Sequence, residues 1–354
     1  MRIVVTGASG NVGSALVERL GREDGVDSIV GIARRPHDWR PDRTEWVHLD
    51  LASHSTDVTE DLANAFRGAD AVVHLAWLFQ PTRHPEVTWR ANVIGTTRVL
   101  DAVERAGVPA VVVASSVGVY SPRAGLDLVD ESWPSHSQPL TAYSREKAYV
   151  ERLLDAHEAR HPDRRVIRVR PAFIFQGRAA TQQRRLFMGP LVPHALLRSR
   201  IPVVPMPADL RLQTVHTSDI AEGYTAAVTK DVSGAFNLAA EPVLGPHELA
   251  GLLGGRWVPA PSRAMRAGLA AAWAAHAVPA SPQLFDLLMS VPMMSTRRAR
   301  DELGWVPRVS APDAVRSFLD GLGSDSHVGT PPLADATSGP ARAHEVATGV
   351  GERP

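Results

Sequence analysis

Short runs of Val, Ile and Ala recur along the first half of the chain. Each is followed by a stretch in which apolar residues return every three or four positions. The runs predict strands over 2–6, 27–33, 45–49, 71–75, 110–114 and 165–169, and the helical periodicity predicts helices over 11–20, 57–67, 86–106 and 142–159. This alternation predicts an α/β protein, a doubly wound parallel sheet with helices on both faces. The strands are near-continuous apolar runs, as strands buried on two sides are.

After Arg170 the rhythm fades and Pro becomes frequent, at 171, 190, 193, 202, 205 and 207. The expected organisation is a nucleotide-binding domain over 1–170 and a smaller substrate-binding region over 171–212 and 246–322. Strands at 213–217 and 235–238, flanking a helix over 218–229, are expected to return to the main sheet, so that 213–240 completes it. A last helix is expected over 313–319. No aromatic residue follows Leu319, and residues 323–354 are expected to form a disordered tail, lacking apolar surface to offset ordering. The most apolar later stretch, 267–278, is about half the length that spans a bilayer and is expected to be a buried Ala-rich helix. The apolar run at residues 1–7 breaks at Thr6-Gly7, too short for a signal peptide, and a soluble cytoplasmic protein is expected.

Charge narrows the choice further. The 38 basic residues balance 38 acidic ones, which argues against a nucleic-acid binder. The absence of Cys excludes disulfides, thiolate zinc sites and a thiol nucleophile. Fourteen His leave His/carboxylate metal sites open, and His157-Glu158-Ala159-Arg160-His161 fits the His-Glu-x-x-His zinc pattern. It ends a predicted helix just before Pro162 and has no convincing third ligand, so solvated side chains and no metal are expected. Residues 160–200 hold ten Arg against one acid, Asp163. A solvated surface and attraction of an anionic substrate both remain open.

The first strand runs into Thr6-Gly7-Ala8-Ser9-Gly10-Asn11-Val12-Gly13 and then a helix. Glycines spaced in this way allow a tight turn, close approach to a pyrophosphate and close helix–strand packing, while the helix amides face the phosphates. Residues Gly7 through Gly13, with Ser9, Asn11 and Val12 between the glycines, are the candidate cofactor loop. About 20 residues on, NAD proteins carry an acid for the ribose. Here Ala33 is followed by Arg34 and Arg35, which suit a 2′-phosphate and favour NADP over NAD. Asp50 and Leu51, closing the third strand, are placed for the adenine.

Tyr143 and Lys147 stand four apart on a predicted helix and so share a face. A nearby ammonium is expected to lower the phenol's pKa and fit it for proton transfer. Ser115 and Ser116 follow the fifth strand, at the end where open α/β sheets bind ligands. Trp77 and Phe79 could wall a pocket, and Asp130, Glu131 and Trp133 could cover it. His74 and His216 read as structural.

These residues together resemble the extended short-chain dehydrogenase/reductases, the NAD(P)-dependent epimerase/dehydratase family, over roughly residues 1–320. The likeness rests on Thr6-Gly7-x-x-Gly10-x-x-Gly13, His74-Leu75-Ala76, Asn92-Val93-x-Gly95-Thr96, Ser116, Tyr143-x-x-x-Lys147, Arg170-Pro171 and Val215-His216-x-x-Asp219. It implies a Rossmann-type fold, catalytic Ser116, Tyr143 and Lys147, and a Lys147 that also holds the nicotinamide ribose. It further implies a supporting Asn92, cofactor contacts at Leu75, Ala76, Pro171 and Ile174, and a homodimer through the helices over 86–106 and 142–159. Hydride would pass between nicotinamide and a hydroxyl- or carbonyl-bearing carbon, on a nucleotide sugar or, as an NADPH-dependent carbonyl reductase, on a small non-sugar substrate. A non-catalytic NAD(P)-sensing protein is the alternative of another class. Three departures stand out: Glu146 where a Ser often precedes the Lys, Ala33–Arg34 in place of the Asp of NAD-retaining epimerases, and Arg211 one place from the usual diphosphate-binding Arg of sugar-nucleotide epimerases.

Overall fold

The computed structural model describes residues 1–80, 83–138, 141–189, 201–323 and 329–334. The strands of the first half are β1 (Arg2–Thr6), β2 (Ser28–Ala33), β3 (Thr44–His48), β4 (Ala71–His74) and β5 (Ala110–Ala114). A short β6 (Leu128–Val129) precedes β7 (Arg165–Pro171), β8 (Phe173–Phe175), β9 (Val203–Met206), β10 (Leu212–His216), β11 (Gly234–Leu238) and β12 (Ala240–Leu244). The helices used below are α1 (Asn11–Leu20), α2 (Val58–Phe66), α3 (Pro85–Trp89), α4 (Gly95–Ala106), α5 (Ala142–Arg160), α6 (Ala180–Phe187) and α7 (Thr217–Thr229).

Seven strands form one parallel sheet in the order β11-β7-β5-β4-β1-β2-β3. The chain builds outward from β1 to β3 and then crosses to the other side of β1 with β4. The crevice between β1 and β4 is therefore the switch point, where such sheets bind ligands. Strand residues are buried on both faces because helices cover both. Leu16 and Leu20 of α1 and Ile220 and Tyr224 of α7 close over Ile3, Val5 and Phe236 on one side. Leu62 and Phe66 of α2, Val99 of α4 and Leu154 of α5 close over Val4, Val72 and Val111 on the other.

Three expectations about the later chain change. Only β11 joins the main sheet; β10 lies in a separate sheet, parallel to β8 and antiparallel to β12. Pairing with β11 runs through Pro171 to the Ala172 amide, which donates to the Leu238 carbonyl at 2.9 Å, and beyond it β8 takes β10 as its neighbour. The Ala-rich segment forms a helix, Ser262–Ala274, with no buried residue. It lies against the helix Pro282–Ser290, and Arg83 rests on its Trp273 ring. Residues 329–334, expected within a disordered tail, form a packed turn: Leu333 is buried against Ala179 and Trp39, and the Thr330 hydroxyl donates to the Ser9 carbonyl at 2.8 Å. The rest of that tail, 324–328 and 335–354, lies outside the described residues.

Candidate active site

The glycine loop occupies the switch point. Gly7 has φ +71, in the left-handed region, and a Cβ there would lie 2.7 Å from the Ala76 amide nitrogen at the end of β4. A Cβ on Gly13 would lie 2.2 Å from the Gly7 carbonyl oxygen. Both positions need glycine, one for the turn and one so that α1 can pack onto the loop. Gly10 stands at the N-cap of α1 and supplies no side chain, so the first-turn amides have no cap from it. The Asn11 side-chain oxygen accepts from Gln176 Nε2 at 2.6 Å and from Thr217 Oγ1 at 3.1 Å, which ties the loop to the second half of the chain. Val12 packs on the core, and the Ser9 carbonyl is taken by Thr330.

At the other end of the crevice, Arg34 is exposed and Arg35 half-buried beyond the end of β2. Burial first, then the Arg34 charge, pushes the Arg35 pKa down. Asp50 is exposed and accepts from the Ala52 amide at 3.0 Å, while Leu51 is buried beside Gly95.

Ser116 follows β5, and its hydroxyl accepts from the Gly118 amide at 3.0 Å, capping the turn Val117–Val119. The Tyr143 ring reaches this turn: a Cβ on Gly118 would meet it at 3.0 Å. Burial raises the Tyr143 pKa, and a hydrogen bond with Ser116 opposes the rise. Phenol and hydroxyl therefore share one place at the rim of β5. Lys147, one turn further along α5, is buried; its ammonium donates to the Ala114 carbonyl at 2.6 Å and stands 3.4 Å from the Trp77 ring centre. Burial brings its pKa down to about 7, against the opposing pull of Glu151 and Glu146. The expectation that Lys147 lowers the phenol's pKa is thus corrected: its charge is directed at Ala114 and Trp77, and desolvation dominates at Tyr143.

Helix α3 runs into a π-helical turn, Arg90–Ile94, before α4. Such turns often mark functional sites because they re-aim one residue. Here Asn92 is turned to the β4 loop, accepting from the Leu78 amide at 2.7 Å and donating to the Leu78 carbonyl at 2.8 Å. It also donates to Glu146 Oε2 at 2.6 Å, and Glu146 Oε1 accepts from the Thr88 hydroxyl at 2.6 Å. A small cleft opens to solvent in front of Tyr143, with Trp77, Phe79, Thr88, Glu146 and Leu284 in its walls. Pro171 ends β7 beside β11, and Ile174 in β8 packs on the core below the loop.

Behind the rim lies a polar network that the sequence reading missed. Glu151, 1% exposed, accepts from the Ser115 hydroxyl at 2.6 Å and is gripped by Arg170, Nε to Oε1 at 2.9 Å and Nη2 to Oε2 at 2.8 Å. Arg168 Nε lies 3.3 Å from the same carboxylate. Arg170 Nη1 donates to the Tyr120 hydroxyl, which donates to Asn237. The network joins α5 to β5, β7 and β11. The signal was available: Arg168 and Arg170 stand two apart on an interior strand, so one helix-covered face had to hold both, and buried arginines need acids. Arg178 pairs with Glu18 at 2.8 Å. These members of the Arg-rich stretch are structural rather than solvated; Arg198 and Arg200 lie outside the described residues.

His74 bridges Thr6 Oγ1 at 2.7 Å and Thr96 Oγ1 at 3.0 Å, and burial drives its pKa to about 3. The His216 ring nitrogen accepts from the Ser218 amide and caps α7. His157, expected to be solvated, is buried against His161, with ring centroids 4.8 Å apart. It faces inward because Leu154 and Val150, one and two turns back, set the buried side of α5. No cluster of three metal-ligating side chains occurs among the described residues. Trp133 donates to the Ser121 carbonyl and Glu131 Oε1 accepts from the Asn237 amide, so this loop is pinned beside the site.

A glycine turn at the switch point of a parallel sheet, faced by Ser, Tyr and Lys on the same rim, defines a dinucleotide-binding α/β protein. Residues 3–239 match the NAD dependent epimerase/dehydratase family, and the chain belongs to it. An uncharacterized protein of Mycobacterium tuberculosis is 29% identical over 323 residues. That match takes 90% of this chain but spans only 30% of the relative's length. The sterol-4-alpha-carboxylate 3-dehydrogenase of Saccharomyces cerevisiae is 32% identical over 130 residues, 36% of this chain and 37% of its own. The dTDP-glucose 4,6-dehydratase of Streptomyces venezuelae, solved with NAD and TYD bound, shares the fold with a TM-score of 0.65 at 21% identity, over 91% of this chain and 96% of that one. No helix of the described residues is long and apolar enough to cross a membrane.

Proposed function

We propose that this chain is an NAD(P)-dependent oxidoreductase that moves hydride between the nicotinamide ring and a carbon bearing a hydroxyl or carbonyl. The observation that carries the reading is the meeting of Ser116 and Tyr143 at the rim, with Lys147 one turn behind them and the glycine loop alongside. The residues fit the cofactor: the space that a side chain at Gly7 or Gly13 would fill is kept clear, and the first-turn amides of α1 lack a side-chain cap. When bound, the nicotinamide supplies the hydride donor or acceptor. The glycine loop and α1 hold the pyrophosphate. Arg34 and Arg35 hold a 2′-phosphate, which makes NADP the preferred cofactor over NAD; Leu51 and Ala76 flank the nucleotide. Ser116 orients the substrate oxygen, Tyr143 gives or takes its proton at Oη, and Lys147 holds the nicotinamide ribose. Residues 171–212 and 246–322 supply the substrate side of the cleft. The exposed Trp89, at the end of α3, and Tyr149 of α5, with ring centroids 4.9 Å apart and planes tilted by 56°, support a homodimer through the helices over 86–106 and 142–159.

The test is titration with NADPH and NADH of the wild type and of Arg34→Ala, followed by turnover of Tyr143→Phe. NADPH should bind more tightly, and Arg34→Ala should narrow the difference. Tyr143→Phe should lose about 10²–10⁴-fold in kcat. Tighter NADH binding untouched by Arg34→Ala overturns the cofactor assignment. Full activity of Tyr143→Phe overturns the proton-transfer role. Cofactor binding without redox chemistry on any alcohol or carbonyl would favour a sensing protein.

A further inference from the structure

We infer that Glu146 is a positioning residue for the proton-transfer pair: its carboxylate fixes Asn92, and through Asn92 the Leu78 segment that sets Trp77 and Phe79 against Lys147 and Tyr143. The inference rests on the hydride-transfer reading above and adds a residue that the reading does not use.

A chain of short hydrogen bonds carries it. Glu146 lies between Tyr143 and Lys147 on α5 and is 3% exposed. Two donors meet its two oxygens. The Thr88 hydroxyl of α3 reaches Oε1 at 2.6 Å, and Asn92 Nδ2, in the π-helical turn, reaches Oε2 at 2.6 Å. Bonds of this kind to a carboxylate are among the strong ones. A carboxylate accepts on both oxygens and donates from neither, so it orders two donors at once. A Ser at this place, the residue that often precedes such a Lys, is too short to reach both. Burial raises the carboxyl's pKa, and the Thr88 and Asn92 bonds, followed by the Lys147 charge, oppose the rise.

Asn92 passes the restraint on. Its Nδ2 also donates to the Leu78 carbonyl at 2.8 Å, and its Oδ1 accepts from the Leu78 amide at 2.7 Å. A side-chain amide has two donor hydrogens, and both are taken. The group cannot turn over without setting Oδ1 against the Glu146 carboxylate. Glu146 therefore fixes which way Asn92 faces, and Asn92 clamps both polar groups of the Leu78 backbone. Leu78 stands between the two rings that bracket the proton-transfer pair. Trp77 has the Lys147 ammonium 3.4 Å from its ring centre and meets Tyr143 edge-on at 5.9 Å, and Phe79 lies 5.1 Å from Tyr143. A slip at Leu78 moves both rings, and with them the seats of the phenol and the ammonium.

The experiment uses the full chain, whose only lysines are Lys147 and Lys230. In NMR of the cofactor-free protein, lysine isotope-labelled at Cε gives one signal from each. The Trp77 ring should hold the Lys147 methylene protons upfield of those of Lys230. Glu146→Leu should bring that signal toward the Lys230 position and lower kcat for NADPH oxidation by 2,3-butanedione about 10–10²-fold. Glu146→Gln loses the same charge but keeps the bonds. Its oxygen accepts from Asn92, and its amide donates to Thr88, whose hydroxyl turns to the Pro85 carbonyl at 3.1 Å. It should hold the Lys147 signal upfield and recover most of the lost rate. If Glu146→Leu does not fold, Asn92→Ala cuts the same chain of bonds and should move the signal in the same way. A Lys147 signal that stays in place when the chain is cut overturns the inference. So does a Glu146→Gln protein as slow as Glu146→Leu with its signal in place, which would make the carboxyl itself the proton carrier. Signals that respond as expected in a protein that oxidises NADPH with no carbonyl support the positioning and overturn the hydride reading.

Discussion

The Lys147 ammonium stands 3.4 Å from the centre of the Trp77 ring. Trp77 is thus both a wall of the cleft and the surface on which the cation rests. A cation over an indole face, with one carbonyl as its other partner, is poorly solvated, which explains why burial leads the causes that bring its pKa to about 7.

That placement has a pH signature. The folded pKa, about 7, lies below the ordinary 10.5. Between the two the unfolded chain holds a proton that the folded chain has released, so stability should rise with pH across that window. Calorimetric melting of the cofactor-free wild type and of Lys147→Met should show a gap in Tm that shifts in favour of the wild type from pH 7 to pH 9. A gap independent of pH would mean that the amine is solvated.

His74 acts in a separate window. Its folded pKa of about 3 lies below the ordinary 6.5, with burial the larger cause and the Lys147 charge the smaller. Between those values the unfolded chain binds the extra proton, and stability should fall as the solution is acidified from about pH 6.5. His74→Gln should be less stable at pH 8, through lost bonds to Thr6 and Thr96, and should lose less on acidification to pH 5. Urea unfolding at both pH values measures this.

Gly7→Ala should cost about 1–3 kcal/mol through its left-handed backbone, and the Cβ would also press on the β4 end at Ala76. Cofactor affinity should fall with stability, because the same turn shapes the phosphate crevice. Denaturant titration and cofactor titration of the variant check both.

How much of this could be read beforehand differs from element to element. The glycine loop, the five first strands and α1 are local: tight turns and apolar runs write themselves into adjacent residues. Asn92 was flagged by resemblance, but its helix was expected to run unbroken over 86–106. Periodicity does not register the extra residue of the turn at Arg90–Ile94 that aims Asn92 at Leu78. Glu151 was missed although Arg168 and Arg170 stand two apart along one strand, because the Arg-rich stretch was weighed only as a solvated surface or an attractor of anions. His157 was misplaced because a motif drew attention to a helix end, while the buried side of that helix was set by Val150 and Leu154. The Thr330 contact with Ser9, 321 residues away in sequence, has no local signal at all.

The Leu333 contact is testable by itself. Leu333→Ala should cost about 2 kcal/mol and should leave Trp39 more exposed to water. A red shift of tryptophan emission and a lower denaturation midpoint are the expected readings, and an unchanged spectrum with unchanged midpoint would show that the turn does not pack in solution.

The glycine loop is held in part by a turn 321 residues further along the chain. Thr330 holds the Ser9 carbonyl, and Leu333 fills the gap beside Trp39. A change in that turn therefore reaches the glycine loop directly, through one hydrogen bond and one buried side chain.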